Sequence, residues 1–136
     1  MQLSKNSKIF LAGHNGMVGS SILRYLKKKN YRNIIVKNRK QLELLNQEKT
    51  EKFLKKVKPD VVIIAAAKVG GILSNDTFKG EYIYQNLTIQ TNLIHSSFKV
   101  GVKKLIFLGS SCIYPKFSKQ PIKEDYVLSG KLEPTN

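Results

Sequence analysis

The chain has 136 residues, 41% of them hydrophobic, with six Phe, six Tyr and a single Cys. That describes one ordinary domain with material for a core, and it excludes disordered and fibrous classes and any internal disulfide. The net charge of +15 comes from 21 Lys and 3 Arg against nine acidic residues.

Residues 8–12 (KIFLA) form a short apolar run that ends at a glycine turn, and they predict a first strand. Over residues 17–29 the apolar residues Val18, Ile22, Tyr25 and Leu26 recur at helical spacing. Residues 33–37 (NIIVK) read as a second strand. Asn46 is placed to cap a helix reaching about Lys56, with Phe53, Leu54 and Val57 facing inward. Pro59 and Asp60 break that helix and introduce residues 61–66 (VVIIAA). A continuous apolar run without alternation is what a parallel strand, buried on both faces, requires. Residues 81–99 predict a long helix with Ile83, Leu87, Ile94 and Phe98 on one face, and Gly101 stops it. Residues 104–108 (KLIFL) are the fourth strand, and residues 110–136, with three of the four prolines, read mostly as loop.

Strands separated by helices imply right-handed crossovers and a Rossmann-type, doubly wound parallel sheet of the α/β class. Four strands and a trailing loop would leave a sheet edge bare, so the sheet is expected to be truncated after the fourth strand. The longest apolar run, residues 61–67, is strand-sized, so no membrane span is expected. A polar start leads directly into the first strand without a secretory signal, and the lone Cys112 fits a reducing compartment; a cytoplasmic location is expected. The basic clusters Lys27–Lys29 and Lys55–Lys56 fall near predicted helix C-termini, where cations favour the helix dipole. No aromatic residues interleave with them to stack bases, which favours a solvated lysine-rich surface over a nucleic-acid-binding domain.

Gly13-His14-Asn15-Gly16-Met17-Val18-Gly19 lies between the first strand and the first helix. This G-x-x-G-x-x-G spacing is a variant of the dinucleotide fingerprint. Gly13 allows the tight turn, Gly16 lets the backbone approach a pyrophosphate, and Gly19 lets helix pack on strand. After the second strand, where an acidic residue would bind a ribose hydroxyl and favour NAD, stand Lys37-Asn38-Arg39-Lys40. Cations there suit a 2′-phosphate, so NADP is favoured, with Arg39 the best candidate because its fork grips phosphate bidentately. The plainer reading is more surface charge in a lysine-rich chain.

Ala65, Ala66 and Ala67 follow the third strand, where small residues let a flat ligand lie close or, alternatively, let a helix pack. Gly109-Ser110-Ser111-Cys112 follows the fourth. A hydroxyl at such a strand end could hydrogen-bond a substrate carbonyl and a thiol could move protons, whereas an isolated Cys more often packs as a small apolar group. No metal site is expected.

Beyond these features, residues 13–20 (GHNGMVGS), 65–72 (AAAKVGGI), 84–86 (YQN), 108–116 (LGSSCIYPK), 120–122 (QPI) and 132–136 (LEPTN) resemble, over the whole chain, the GDP-L-fucose synthase family of extended short-chain dehydrogenases/reductases. The resemblance implies 3,5-epimerisation of GDP-4-keto-6-deoxy-D-mannose followed by NADPH reduction at C4, in a homodimer. It implies that Ser110 hydrogen-bonds the C4 oxygen and that Cys112 is one acid/base group of the epimerisation. Gly13, His14, Asn15, Gly16, Met17, Val18 and Gly19 would hold the pyrophosphate and Arg39 the 2′-phosphate. Leu108, Gly109, Ser110 and Ser111 would run beside the cofactor near Ala66, with Asn86 positioning the surrounding loops. The family's Tyr-x-x-x-Lys pair and second acid/base residue, a histidine, are expected beyond residue 136. Residues 1–136 are therefore expected to be an N-terminal NADP-binding portion without the C-terminal substrate domain, and inactive alone. An NADP-binding module that never catalysed is the alternative.

Overall fold

The computed structural model describes residues 3–135; Met1, Gln2 and Asn136, the last residue of the LEPTN stretch, lie outside the described residues. Four parallel strands, β1 (Ile9–Ala12), β2 (Ile34–Val36), β3 (Val61–Ile64) and β4 (Lys104–Phe107), stand in the order β2-β1-β3-β4. The crossovers carry α1 (Met17–Lys28), α2 (Gln47–Val57), and a pair formed by the short α3 (Ile72–Thr77) and the long α4 (Lys79–Lys99). This is the Rossmann-type doubly wound sheet that the alternation of elements predicts.

Period-two side-chain alternation divides the strands between two cores. Phe10, Ala12, Val62 and Ile64 face α2 and α4, where Leu54 and Leu93 are fully buried and Phe53 meets Phe10 edge-on at 4.9 Å. Ile9, Leu11, Val61 and Ile63 face the other way and pack on Ile22, Leu23 and Leu26 of α1. The two central strands are therefore covered on both sides, which is why their sequences are unbroken apolar runs. Val18 and Tyr25, at helical spacing with Ile22, are exposed on the flank of α1.

Helix ends follow their local chemistry. The Asn46 side chain accepts from the Lys49 amide at 2.8 Å, as an N-cap should. Gly101 (φ +73°) stops α4, its amide returning to the Phe98 carbonyl at 3.1 Å. At the amino end of the sheet, Asp60 joins three strands. Its carboxylate accepts the Lys8 amide ahead of β1 at 2.9 Å and pairs with Lys103 ahead of β4 at 2.7 Å, while Asp60 itself leads into β3. The Lys103 hydrogen bond first, then the Lys8 amide, hold this carboxyl below its usual value.

The face that α4 buries is not its most apolar one. Ile83, Leu87, Ile94 and Phe98 do share a face, but it points to solvent, with exposures of 59%, 49%, 43% and 81%. The buried face carries Asn92, Leu93, Ser96 and Ser97, with Ile89 beside them. Small and amide side chains let α4 lie close to the sheet and to the 42–45 segment, where Asn92 Nδ2 donates to the Leu44 carbonyl at 2.8 Å. A hydrophobic-periodicity reading passes over such residues because their burial has no apolar signature.

Candidate functional site

All four strands end at one edge, and a cleft of about 520 Å³ opens there. Its floor is the turn after β1. Gly13 sits at φ +85°, a region that only glycine enters freely, and a Cβ there would also overlap the Ala65 carbonyl. Gly19 is buried under the same turn, where a Cβ would overlap the Gly13 carbonyl. Gly16 is different. A Cβ on it would meet only the Gly13 carbonyl oxygen, at an ordinary 3.5 Å, so folding alone does not demand glycine there. Gly16 also stands at the N-cap of α1, with no side-chain cap and no acidic residue in the first turn. The helix thus directs uncapped amides and the positive end of its dipole toward the cleft, an arrangement suited to phosphate. In the wall beside it, His14 Nδ1 is buried without a hydrogen-bond partner among the described residues.

The segment after β2 forms a second wall. Asn38 Oδ1 accepts the Gln41 amide at 3.0 Å, while Gln41 Oε1 accepts the Asn38 amide at 3.1 Å, closing a compact turn. Arg39 projects from this turn, largely exposed, and its Nε donates to Glu43 Oε2 at 2.6 Å. Partial burial pushes the Glu43 carboxyl up, but the Arg39 hydrogen bond, the Leu45 amide and the charges of Arg39 and Lys49 together hold it below its usual value. With Nε engaged, the two terminal nitrogens of the guanidinium make no hydrogen bond among the described residues. Lys37 lines the same wall.

Ala65, Ala66 and Ala67 form the third wall, held by a two-way clamp: the Lys68 amide donates to Asn86 Oδ1 at 2.8 Å and Asn86 Nδ2 donates back to the Lys68 carbonyl at 3.0 Å. The Lys68 ammonium pairs with Glu81 and lies 5.0 Å from the centre of the Tyr82 ring.

Just past β4, Leu108, Gly109, Ser110, Ser111 and Cys112 are exposed at the carboxyl end of the strand next to β3. Ser110 caps a short 3₁₀ turn over Ser111–Ile113, its Oγ accepting the Cys112 amide at 3.1 Å. An oxygen that accepts from the backbone keeps its own proton to donate outward. The thiol of Cys112 is free and exposed.

The cleft therefore gathers Gly13, His14, Asn15, Gly16, Arg39 and Ala66. Gly19 lies beneath it, Asn86 braces its wall, Met17 and Val18 are exposed in the first turn of α1, and residues 108–112 share its sheet edge outside its lining. Leu42, Glu43, Glu81, Gln85 and Ile89 also line it and carried no motif. Glu43 could have been found from its place four residues after Arg39; the α4 residues could not, because only the tertiary fold brings that helix to the edge. The chain's Tyr25-x-x-x-Lys29 spacing falls on α1, where Lys29 lies over the Tyr25 ring at 5.7 Å. Among the described residues no cluster of His, Cys, Asp or Glu could hold a metal ion, and no helix is long and apolar enough to cross a membrane.

A parallel sheet with a glycine turn feeding an uncapped helix, and a cationic turn at the next strand, defines a Rossmann-type domain. The NAD dependent epimerase/dehydratase family model matches residues 9–136, and the chain belongs to that family. It is 56% identical, over its whole length, to a GDP-L-fucose synthase of Sinorhizobium fredii (strain NBRC 101917 / NGR234), 43% of which it covers. Among solved structures it matches DdhaC with a TM-score of 0.96 at 47% identity, covering 99% of this chain and 39% of that one. It also matches MlghC, a GDP-mannoheptose C4 reductase from Campylobacter jejuni with NADP bound, with a TM-score of 0.92 at 41% identity, covering 98% of this chain and 42% of that one. The chain thus spans about two fifths of the length of the proteins it matches.

Proposed function

We propose that residues 1–136 are the N-terminal NADP(H)-binding portion of a GDP-L-fucose synthase. In that role the protein acts in the cytoplasm, as a homodimer, on GDP-4-keto-6-deoxy-D-mannose, epimerising C3 and C5 and then reducing the C4 ketone. The observation that carries the reading is the cleft itself. An uncapped helix N-terminus behind Gly16 and the free end of the Arg39 guanidinium meet in one hollow on the carboxyl edge of the sheet.

Gly13 through Gly19 would seat the pyrophosphate and Arg39 the 2′-phosphate, with Ala66 against the cofactor and Asn86 bracing that wall. NADPH, when bound, supplies the hydride for the C4 carbon. Leu108 to Ser111 would run beside it. Ser110, with its oxygen engaged by the Cys112 amide, would donate its proton toward the C4 oxygen as negative charge develops there. That same polarised carbonyl acidifies the C–H bonds on its two sides, and the exposed Cys112 thiol is placed to exchange a proton with one of them. The resemblance puts the Tyr-Lys pair and the second acid/base group in sequence beyond residue 136, so the role proposed for residues 1–136 is to bind the cofactor and to supply Ser110 and Cys112.

The test is a fluorescence titration of the chain with NADPH. Saturable binding that NADP+ displaces supports the reading. Absence of binding at millimolar cofactor, by a chain that melts cooperatively, would overturn it.

A further inference from the structure

Gln85 stands on α4 one turn before Ile89, and both line the cleft. The cleft's lining also includes the apolar or small Leu42, Leu45, Ala66 and Ala67. Such a slot suits a flat aromatic base, and any polar group at its rim then decides which base edge is accepted.

The orientation of the Gln85 amide is set by its neighbours. Gln85 Nε2 donates to Glu81 Oε1 at 2.8 Å, and the same carboxylate oxygen receives the Lys68 ammonium. The Lys68 hydrogen bond, and then its charge, hold the Glu81 carboxyl below its usual value, so it stays ionised near neutral pH. An ionised carboxylate only accepts, so Gln85 must turn its NH₂ toward Glu81. Its carbonyl oxygen, which has no partner among the described residues, is then a fixed acceptor. Lys68 is held in turn by the Asn86 clamp on its backbone.

We infer that Gln85 reads the base of the bound dinucleotide. Its oriented carbonyl accepts a hydrogen bond from the exocyclic amino group of adenine and rejects a purine carrying a carbonyl at that position. Lys68 and Glu81 act as positioning residues that prevent the amide from turning around. This rests on the cofactor reading proposed above and adds a specificity determinant to it.

The experiment compares binding of NADPH with binding of its hypoxanthine counterpart, in which oxygen replaces the amino group. The wild-type chain is expected to prefer the adenine form by roughly fivefold or more, the size of one hydrogen bond plus the cost of facing two acceptors. Gln85→Leu should bring the ratio close to one, chiefly by weakening NADPH, without lowering the melting temperature. Glu81→Leu should do the same although Gln85 is intact, because the freed amide can then present either end. Retention of the preference by either variant overturns the inference, as does equal binding of both nucleotides by the wild type. Failure of the wild type to bind either nucleotide removes the cofactor reading, and this inference with it.

Discussion

Gly19 lies so close under Gly13 that a methyl group added to Gly19 would overlap the Gly13 carbonyl oxygen. The first and third glycines of the turn are thus demanded by folding, and the second is not. Gly19→Ala should destabilise the chain by about 3 kcal/mol, because the overlap is with backbone, lowering the melting temperature by roughly 10 °C. Gly16→Ala, whose Cβ meets only an ordinary 3.5 Å contact, should melt within about 3 °C of wild type yet bind NADPH more weakly. Thermal unfolding and cofactor titration of the two variants check this. A Gly16→Ala chain that binds normally would mean that no ligand approaches the turn there.

Arg39 is predicted to discriminate between the two nicotinamide cofactors. Arg39→Ala should weaken NADPH by roughly tenfold to a hundredfold, the worth of a charge-assisted contact, and leave NADH nearly unchanged. Glu43→Gln removes the negative charge behind the Nε contact at 2.6 Å and should cost less, because the guanidinium charge remains. Equal losses for both cofactors in Arg39→Ala would remove the 2′-phosphate assignment.

Asp60 makes a pH prediction whose sign is fixed. Its folded-state pKa is depressed below the ordinary 3.8 by Lys103 and the Lys8 amide. Its contribution is therefore fully present above the unfolded-state value and is lost as pH falls through the lower folded value. Denaturant unfolding across the acid range should show wild type more stable than Asp60→Asn at neutral pH, with the two curves converging in acid. A difference that persists undiminished at the acid end would assign the effect to lost hydrogen bonding rather than to charge.

The outward stripe of Ile83, Leu87, Ile94 and Phe98 on α4 should make the chain bind hydrophobic dyes or self-associate. The double substitution Leu87→Lys and Phe98→Lys should suppress both effects while leaving the circular dichroism spectrum unchanged, because neither side chain is part of the core. Unchanged dye binding would place the responsible surface elsewhere, such as Phe107 and Leu108 at the β4 edge.

Legibility in the sequence followed the physics of each element. The strands were readable because burial on both faces leaves nothing but apolar residues at positions 61–64, and the glycine turn because backbone geometry restricts residue choice at 13 and 19. The Asn46 cap and the Gly101 stop were readable for similar local reasons. The inward face of α4 was not, since Asn92, Ser96 and Ser97 bury through close approach and hydrogen bonding, while the large apolar residues point outward. α3 also escaped, being six residues long with no buried member and no side-chain cap. At the site, the residues on the strand-end loops announced themselves. Glu81 and Gln85 did not, because a polar residue on a helix looks like ordinary surface until the fold shows what it faces.

The Asp60 junction gives the two ends of the sheet different freedoms. At the amino end, one carboxylate holds the starts of β1 and β4 against the lead-in to β3, so strand alignment is set away from the cleft. At the carboxyl end, the polar and charged residues that face the cleft sit on turns and on the rim of α4, outside both hydrophobic cores. Ligand preference can then change through replacements at positions such as 39, 43, 81 and 85 without disturbing strand alignment. A scaffold anchored at one end and variable at the other can take on new ligands while keeping its fold.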